Sequence, residues 1–233
     1  MKSTVAVASG GMDSSTLCYY LADRSELGLI VSVDYGQRHR RELESAKRIA
    51  DHLNTEHIVL DLTALGAQLG GSALTDDIEV PHGHYAHENM RITVVPNRNM
   101  ILLAAVGGVA VAKEMNALAT AVHAGDHFIY PDCRPEFTES VSNTLRIATA
   151  GFGDIHIEAP FVNKTKADLA QLGDELGVPW IDTWTCYEGN DIHCGRCATC
   201  VERREAFDLA GVHDPTPYKD DEFWIEAVRN ADV

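Results

Sequence analysis

The sequence predicts an α/β fold: a mostly parallel, doubly wound, Rossmann-like sheet followed by a C-terminal helical subdomain stapled by zinc. Three observations lead there. Short apolar runs alternate with helical patterns from the N-terminus onward, which calls for parallel strands joined by crossover helices. The first apolar run breaks into Ser-Gly-Gly before a helix begins. Four of the six cysteines crowd into residues 186–200.

The elements follow in order. STVAVA (residues 3–8) is a short apolar run, as a buried strand requires. A helix is expected over 13–24. LGLIVSVDYG gives a second strand ending near Asp34. Residues 38–54 place Leu43, Ala46, Ile49, Ala50 and Leu53 near the 3.6-residue period, so they form an amphipathic helix. EHIVLDL (56–62) is the third strand. Residues 63–98 carry Gly, Pro, His and Asp with little periodicity; a loop of that length inside a domain is usually functional or mobile. The pattern resumes with a helix over 99–113, a strand over 117–123 and a helix over 135–150. A strand over 154–160 and a helix over 165–177 complete the sheet domain. The cysteine-rich segment, a closing helix over 198–211 and a tail rich in Pro and Asp end the chain. The expected division is a domain over 1–180, with 63–98 as its excursion, and a subdomain over 181–233.

Bulk properties narrow the function. The chain has 233 residues, 19 Lys plus Arg and 35 Asp plus Glu, so 19 − 35 gives a net charge of −16. That balance disfavours broad contact with nucleic-acid phosphates, but leaves room for a small anion in a local site. We read no apolar run approaching the roughly 20 residues of a membrane span. The N-terminus has no apolar segment followed by a cleavage site. The expected setting is therefore cytoplasmic, with no membrane partner.

The break after the first strand, SGGMDSS, can form a nest of backbone N–H groups opening on a helix N-terminus. Ser9, Ser14 and Ser15 add hydroxyls, and Asp13 among them suggests a bridging Mg²⁺. The competing reading is a tight turn in which Asp13 or Ser14 merely caps the helix. Neither GxxxxGK[ST] nor G-x-G-x-x-G is present. Cys186, Cys194, Cys197 and Cys200 are spaced C-x7-C-x2-C-x2-C, which suits tetrahedral thiolate coordination of zinc. An iron–sulfur cluster or a redox CxxC are the rivals. Four protein ligands leave no open position on the ion, so its part would be folding. Cys18 reads as a small buried hydrophobe; Cys133 sits in a segment crowded with functional groups.

That segment, HAGDHFIYPDCRPEF (123–137), follows the fourth strand, where open α/β sheets bind ligands. It offers Asp126, Tyr130, Asp132, Arg134 and Glu136; VPNRNM (95–100) adds Asn97 and Arg98 at a helix start. The alternative is ordinary capping with solvated charges. Lys166, and secondarily Lys164, stand beside a helix start where a cation could neutralise phosphate charge. The His-rich PHGHYAHE, with His82, His84 and His87, reads as a solvated or substrate-adjacent loop rather than a metal site.

SGGMDSS matches the SGGxDS signature of the PP-loop ATP pyrophosphatases. Together with DYGQRH, VPNRN, YPDCRPEF and TCYEGNDIHCGRCATC, in one order over nearly the whole chain, it resembles the 7-cyano-7-deazaguanine synthases. The resemblance implies an adenine nucleotide alpha hydrolase-like fold and an ATP-dependent carbon–nitrogen ligase of queuosine or archaeosine precursor synthesis. Its substrates would be 7-carboxy-7-deazaguanine, ammonia and ATP, with Mg²⁺ and Zn²⁺ as cofactors, and the protein would be a homodimer. Asp13 and Lys166 would be catalytic. Ala8, Ser9, Gly10, Gly11, Met12, Asp13, Ser14, Ser15, Thr16, Leu17, Val33 and Asp34 would bind ATP. Asn97, Arg98, Asp126, Tyr130, Asp132, Arg134 and Glu136 would surround the deazaguanine, and the four clustered cysteines would take zinc. A PP-loop enzyme thiolating tRNA directly is the alternative, against which the acidic charge speaks. So is a related amide or nitrile synthetase acting on another deazapurine.

Overall fold

Side chains alternate across the first strand, β1 (Thr4–Val7), and so build two cores at once. Val5 and Val7 face one layer of helices; Ala6, with Ala8 just beyond the strand, faces the other. The computed structural model describes residues 3–86 and 88–231. After β1 come α1 (Met12–Asp23), β2 (Leu27–Asp34), α2 (Arg41–His52) and β3 (His57–Asp61). The chain then forms the one-turn α3 (Thr63–Gly66), α4 (Arg98–Ala112), β4 (Ala117–Ala119), α5 (Pro135–Ala148), β5 (His156–Glu158) and α6 (Lys166–Glu175).

The sheet runs β3-β2-β1-β4-β5, and every pairing is parallel. Helices α1, α2 and α6 cover one face through Leu17, Leu21, Ile49, Ala50 and Leu169. Helices α4 and α5 cover the other through Leu103, Val106, Ala110, Val141 and Leu145. The strand order reverses between β1 and β4, so the crevice beyond their C-terminal ends is the expected ligand position. Cys18 lies in the first of these cores, where burial pushes its thiol up to about 12.

Residues 63–98 are less irregular than their composition suggested. Besides α3 they hold a 3₁₀ turn at Glu88–Thr93, and they bury Ala73, Leu74, Val80, Tyr85, Met90 and Val95. The segment lies across the cleft edge and the cysteine cluster: Gly83 N–H donates to the Arg196 carbonyl, and His82 bridges to Cys197. His82 is tied to Glu188 at 2.8 Å and His84 Nε2 lies 3.3 Å from Glu205, so this loop is anchored, not merely solvated. His87 lies outside the described residues.

A second correction concerns Met90–Ala112. By length and composition it is apolar enough to cross a membrane, although we read no such run in the sequence. In the fold it is broken at Asn97, whose φ of +58 separates the 3₁₀ turn from α4, and α4 lies against the sheet.

Past residue 180 the chain stays knitted to the sheet domain. Helix α7 (Ala198–Ala210) packs on α6 and α1: Phe207 and Ala206 share a buried cluster with Met12, Ala170 and Trp180. Arg203 on α7 is fully buried, paired with Asp214 at 3.0 Å and donating to the Thr183 hydroxyl at 2.7 Å. The tail is not irregular throughout. It ends in α8 (Phe223–Ala231), whose N-terminus is capped by Asp220 accepting from the Phe223 N–H at 2.9 Å. The prolines at 215 and 217 drew attention away from that cap.

Candidate active site

The turn after β1 sits at the switch point. Gly11 is the N-cap of α1 and no side chain caps that helix. Its first-turn N–H groups therefore have no intrahelical acceptor and point at the cleft, as an anion requires. The hydroxyls tie the turn together: Ser14 Oγ accepts from the Gly10 N–H at 3.1 Å and donates to the Gly11 carbonyl at 3.3 Å, and Ser9 Oγ accepts from the Gly11 N–H. Asp13 is not a cap. Among the described residues its Oδ1 is buried without a hydrogen-bond partner, while Oδ2 lies 3.2 Å from Lys166 Nζ.

Lys166 is positioned by a capping box at the start of α6, in which Thr165 accepts from the Asp168 N–H and Asp168 accepts from the Thr165 N–H. Its ammonium also donates to Glu202 Oε2 at 2.7 Å. Burial works against this charge, but Asp13 and Glu202 outweigh it and hold the ammonium well above the usual lysine range. Behind the carboxylates lies His123, with only 1% exposed. Its Nδ1 accepts from the Gly125 N–H at 3.1 Å, so Nε2 carries the hydrogen in the neutral ring. Nε2 stands 3.5 Å from Asp126 and 3.8 Å from Asp13.

Asp13, Asp126, Lys166 and Glu202 line one side of a cleft of about 240 Å³. Its other walls come from β2, α4 and the segment after β4. Arg98, the first residue of α4, reaches the hydroxyl of Tyr35 and sits near Tyr130, Tyr187 and the Cys133 thiol. Among the described residues Arg98 is in no ion pair. Burial drives the Tyr35, Tyr130 and Tyr187 phenols above the ordinary tyrosine range, so they stay neutral and leave the guanidinium charge uncancelled. Cys133 also stays protonated: burial, with Asp126 and Asp132 beside it, pushes its thiol far up. It accepts from Asn99 Nδ2 at 3.3 Å and offers no thiolate nucleophile. Tyr85, from the 63–98 excursion, donates to Asp126 at 2.8 Å.

Of the residues singled out from sequence, Ala8, Ser9, Gly11, Met12, Asp13, Ser14, Val33, Arg98, Asp126, Tyr130 and Lys166 line this cleft. Others stand away from its wall. Gly10 faces α2, and Thr16 donates back to the Met12 carbonyl. Ser15 and Leu17 point into the protein. Asp34 is occupied by the Gly36 N–H and by Arg40. Asn97 holds the left-handed turn before α4. Asp132 accepts from the Asn99 N–H at 3.1 Å and caps that helix, Arg134 donates to the His127 carbonyl at 2.9 Å, and Glu136 and Lys164 are exposed. Sequence reasoning missed Glu202, Tyr187, Tyr85 and Trp184 on the wall and His123 behind it. Glu202 alone left a trace, an acidic residue on an otherwise inward face two positions after the last clustered cysteine.

The four cysteines are buried, and their sulfurs all lie within 4.8 Å of one another. Backbone N–H groups of Cys194, Arg196 and Cys197 donate to Cys186 and Cys194 sulfurs at 3.2–3.3 Å, the support that metal-bound thiolates need. Gly195 makes the turn between them with φ +77. This donor set fits tetrahedral zinc. His82 and Glu188 come within the same reach of Cys194, at the edge of the cluster.

A parallel sheet whose switch point carries Ser-Gly-Gly-x-Asp-Ser and an uncapped helix defines a nucleotide-binding α/β protein of the PP-loop kind. The family described as "Queuosine biosynthesis protein QueC" matches residues 3–211, and the chain belongs to that family. The chain is 55% identical to 7-cyano-7-deazaguanine synthase of Brucella anthropi, over 98% of its own length and 99% of that protein's. It is 53% identical to the protein of the same name from Ruegeria pomeroyi, over 97% and 98%. Among solved structures, NMN synthetase from Francisella tularensis aligns with 98% of this chain and 83% of that one at a TM-score of 0.48 and 16% identity, a likeness too slight to argue from.

Proposed function

We propose that the chain converts 7-carboxy-7-deazaguanine, ammonia and ATP into 7-cyano-7-deazaguanine, the compound for which its curated relatives are named. The observation that carries the reading is the convergence of Asp13 and Lys166 on the uncapped N-terminus of α1, with Arg98, in no ion pair among the described residues, on another wall of the same cleft.

In this reading the first-turn N–H groups of α1 and the Ser9 hydroxyl receive the ATP phosphates. Arg98 orients the substrate carboxylate, whose oxygen attacks the α-phosphorus while the bond to pyrophosphate breaks. Lys166 neutralises the charge that grows on the departing pyrophosphate. Ammonia then adds to the acyl carbon, the bond to AMP breaks, and a proton is lost to give the amide. The amide oxygen attacks a second ATP in the same way. Loss of both amide N–H protons and of AMP leaves the nitrile. Activation is needed because a carboxylate or amide oxygen is a poor leaving group by itself. Asp126 and Tyr130 suit the N–H and amino edge of the deazapurine. The unpartnered Asp13 Oδ1 fits a Mg²⁺ ligand, and the ion would offset charge on the phosphates. The four cysteines would hold zinc as a folding element. A cytoplasmic homodimer supplied with free ammonia, without nucleic-acid or membrane partners, belongs to the same proposal; sedimentation velocity checks the dimer.

The test is mass spectrometry of the purified chain with ATP, ammonium and the carboxy-deazaguanine. The expected result is the nitrile, with AMP and pyrophosphate from both activations. Pyrophosphate release without nitrile would sink the assignment.

A further inference from the structure

Lys166 is shared. Glu202 Oε2 lies 2.7 Å from its ammonium and Asp13 Oδ2 lies 3.2 Å away. In the adenylation reading, on which this inference rests, Asp13 must stay open toward the cleft and Lys166 must keep charge to offer a phosphate. A lysine paired with Asp13 alone would close both groups on each other. The buried Glu202 is the group that prevents it. It comes from α7, whose N-cap is Cys197 and whose first turn carries Cys200, so the cysteine cluster fixes where this carboxylate stands. On the other side His123 Nε2 stands 3.8 Å from Asp13 Oδ2 and 3.5 Å from Asp126, so both nearby nitrogens at Asp13, His123 Nε2 and Lys166 Nζ, lie on the Oδ2 side, while Oδ1 has no hydrogen-bond partner among the described residues.

We propose that Glu202 is a positioning residue that draws the Lys166 ammonium away from Asp13 and keeps both groups available to the nucleotide phosphates. Charge counting alone predicts the opposite. Removing a negative carboxylate beside a polyphosphate site would tighten nucleotide binding. The two accounts therefore differ in sign.

The experiment uses the full zinc-loaded chain with Glu202→Gln, Glu202→Asp, Lys166→Met and the double variant Glu202→Gln/Lys166→Met. Calorimetry with the non-cleavable α,β-methylene-ATP reads binding; steady-state kinetics reads kcat; zinc content and melting temperature report the fold. Glu202→Gln is expected to bind the analogue roughly tenfold more weakly and to lose on the order of 10²-fold in kcat, the size of one misplaced charge-stabilising donor, with zinc retained. The double variant should be no worse than Lys166→Met, because Glu202 acts through that lysine. Tighter analogue binding, an unchanged kcat, or additive losses in the double variant would overturn the proposal. Glu202→Asp keeps the charge but shortens its reach, which guards against a folding loss in the Gln variant. It should weaken analogue binding a few-fold with zinc in place, and wild-type binding there overturns the proposal as well. Nitrile formation by the wild-type chain tests the adenylation reading separately, since analogue affinity does not depend on it.

Discussion

Gly10→Ala should destabilise the whole domain, and the reason is helix packing rather than ligand approach. Gly10 has φ +84, and a Cβ built on it would collide with the Ala46 N–H and the Glu42 carbonyl of α2, with Ser45 Cβ at 2.8 Å. Those atoms are mostly backbone, so no rotamer change relieves the clash. The left-handed conformation costs alanine about 1–2 kcal/mol, and overpacking adds about 1–3 kcal/mol. The sum, roughly 2–5 kcal/mol, is a large part of the 5–15 kcal/mol typical of a folded domain. Gly11 is the internal control. Its φ is −74, and its added Cβ would meet only Ser9 Oγ and the Trp184 carbonyl, both at 3.4 Å. Gly11→Ala should cost below about 1 kcal/mol, the size of a weakened N-cap. Urea unfolding of both variants at constant m-value separates them. Equal losses, or a Gly10→Ala midpoint matching wild type, would refute the packing argument.

Three further outcomes are expected. Arg203→Leu strands the buried Asp214 and should cost about 3–5 kcal/mol at neutral pH. Burial pushes the Asp214 carboxyl up, but Arg203, with Tyr218 and Thr216, outweighs it and holds it below the usual range. A depressed carboxyl contributes stability above its unfolded value near pH 4 and loses it as pH falls through the folded value. The penalty of Arg203→Leu should therefore shrink below about pH 4 in unfolding curves taken across pH; a constant penalty would contradict the pairing. Cys194→Ser should release zinc, measured by metal analysis. Even a quarter of the roughly 10–16 kcal/mol of thiolate zinc sites would lower the melting midpoint by several degrees; unchanged zinc and midpoint would refute the cluster. Arg98→Met removes charge-assisted bonds of about 1.5–3 kcal/mol, so KM for the carboxylate substrate should rise roughly 10–100-fold. Its folding stability should hold, because among the described residues Arg98 is in no ion pair; an unchanged KM would move the carboxylate elsewhere.

The sheet was legible because its physics is local. Buried parallel strands read as short apolar runs, and the helices between them carry their own period, so β1, β2 and β3 fall within a residue or two of the expected limits. The shorter β4 and β5 were overextended: only three residues of each pair in the sheet, and the apolar residues beyond β4 instead line the cleft. Helix α8 was missed because its cap, Asp220, lies among prolines and acids that dominate the composition. The 63–98 segment was read as an irregular excursion for a related reason. Its apolar residues are spread without period because each fills a different gap, Leu74 in the main core and Tyr85 in the cleft wall.

The candidate site divides along the same line. Asp13, Lys166 and the four cysteines could be found because they stand at helix starts or their spacing encodes a geometry. Even there the sequence left Asp13 as either a cap or a ligand, and only the uncapped helix and the unpartnered Oδ1 separate the two. The Ser-Gly-Gly break was read as a nest of N–H groups opening on a helix start. At Gly10 what closes on the backbone is helix α2. Glu202 had no comparable signal, since nothing in VERRE says which carboxylate will meet the start of α6. A buried acid acquires its meaning from the partner across the packing interface, here a lysine 36 positions away. That dependence also explains why the cysteine cluster need not touch the nucleotide to matter. By fixing the start of α7 it sets the direction of Glu202, and through Glu202 the position of the Lys166 ammonium that faces Asp13.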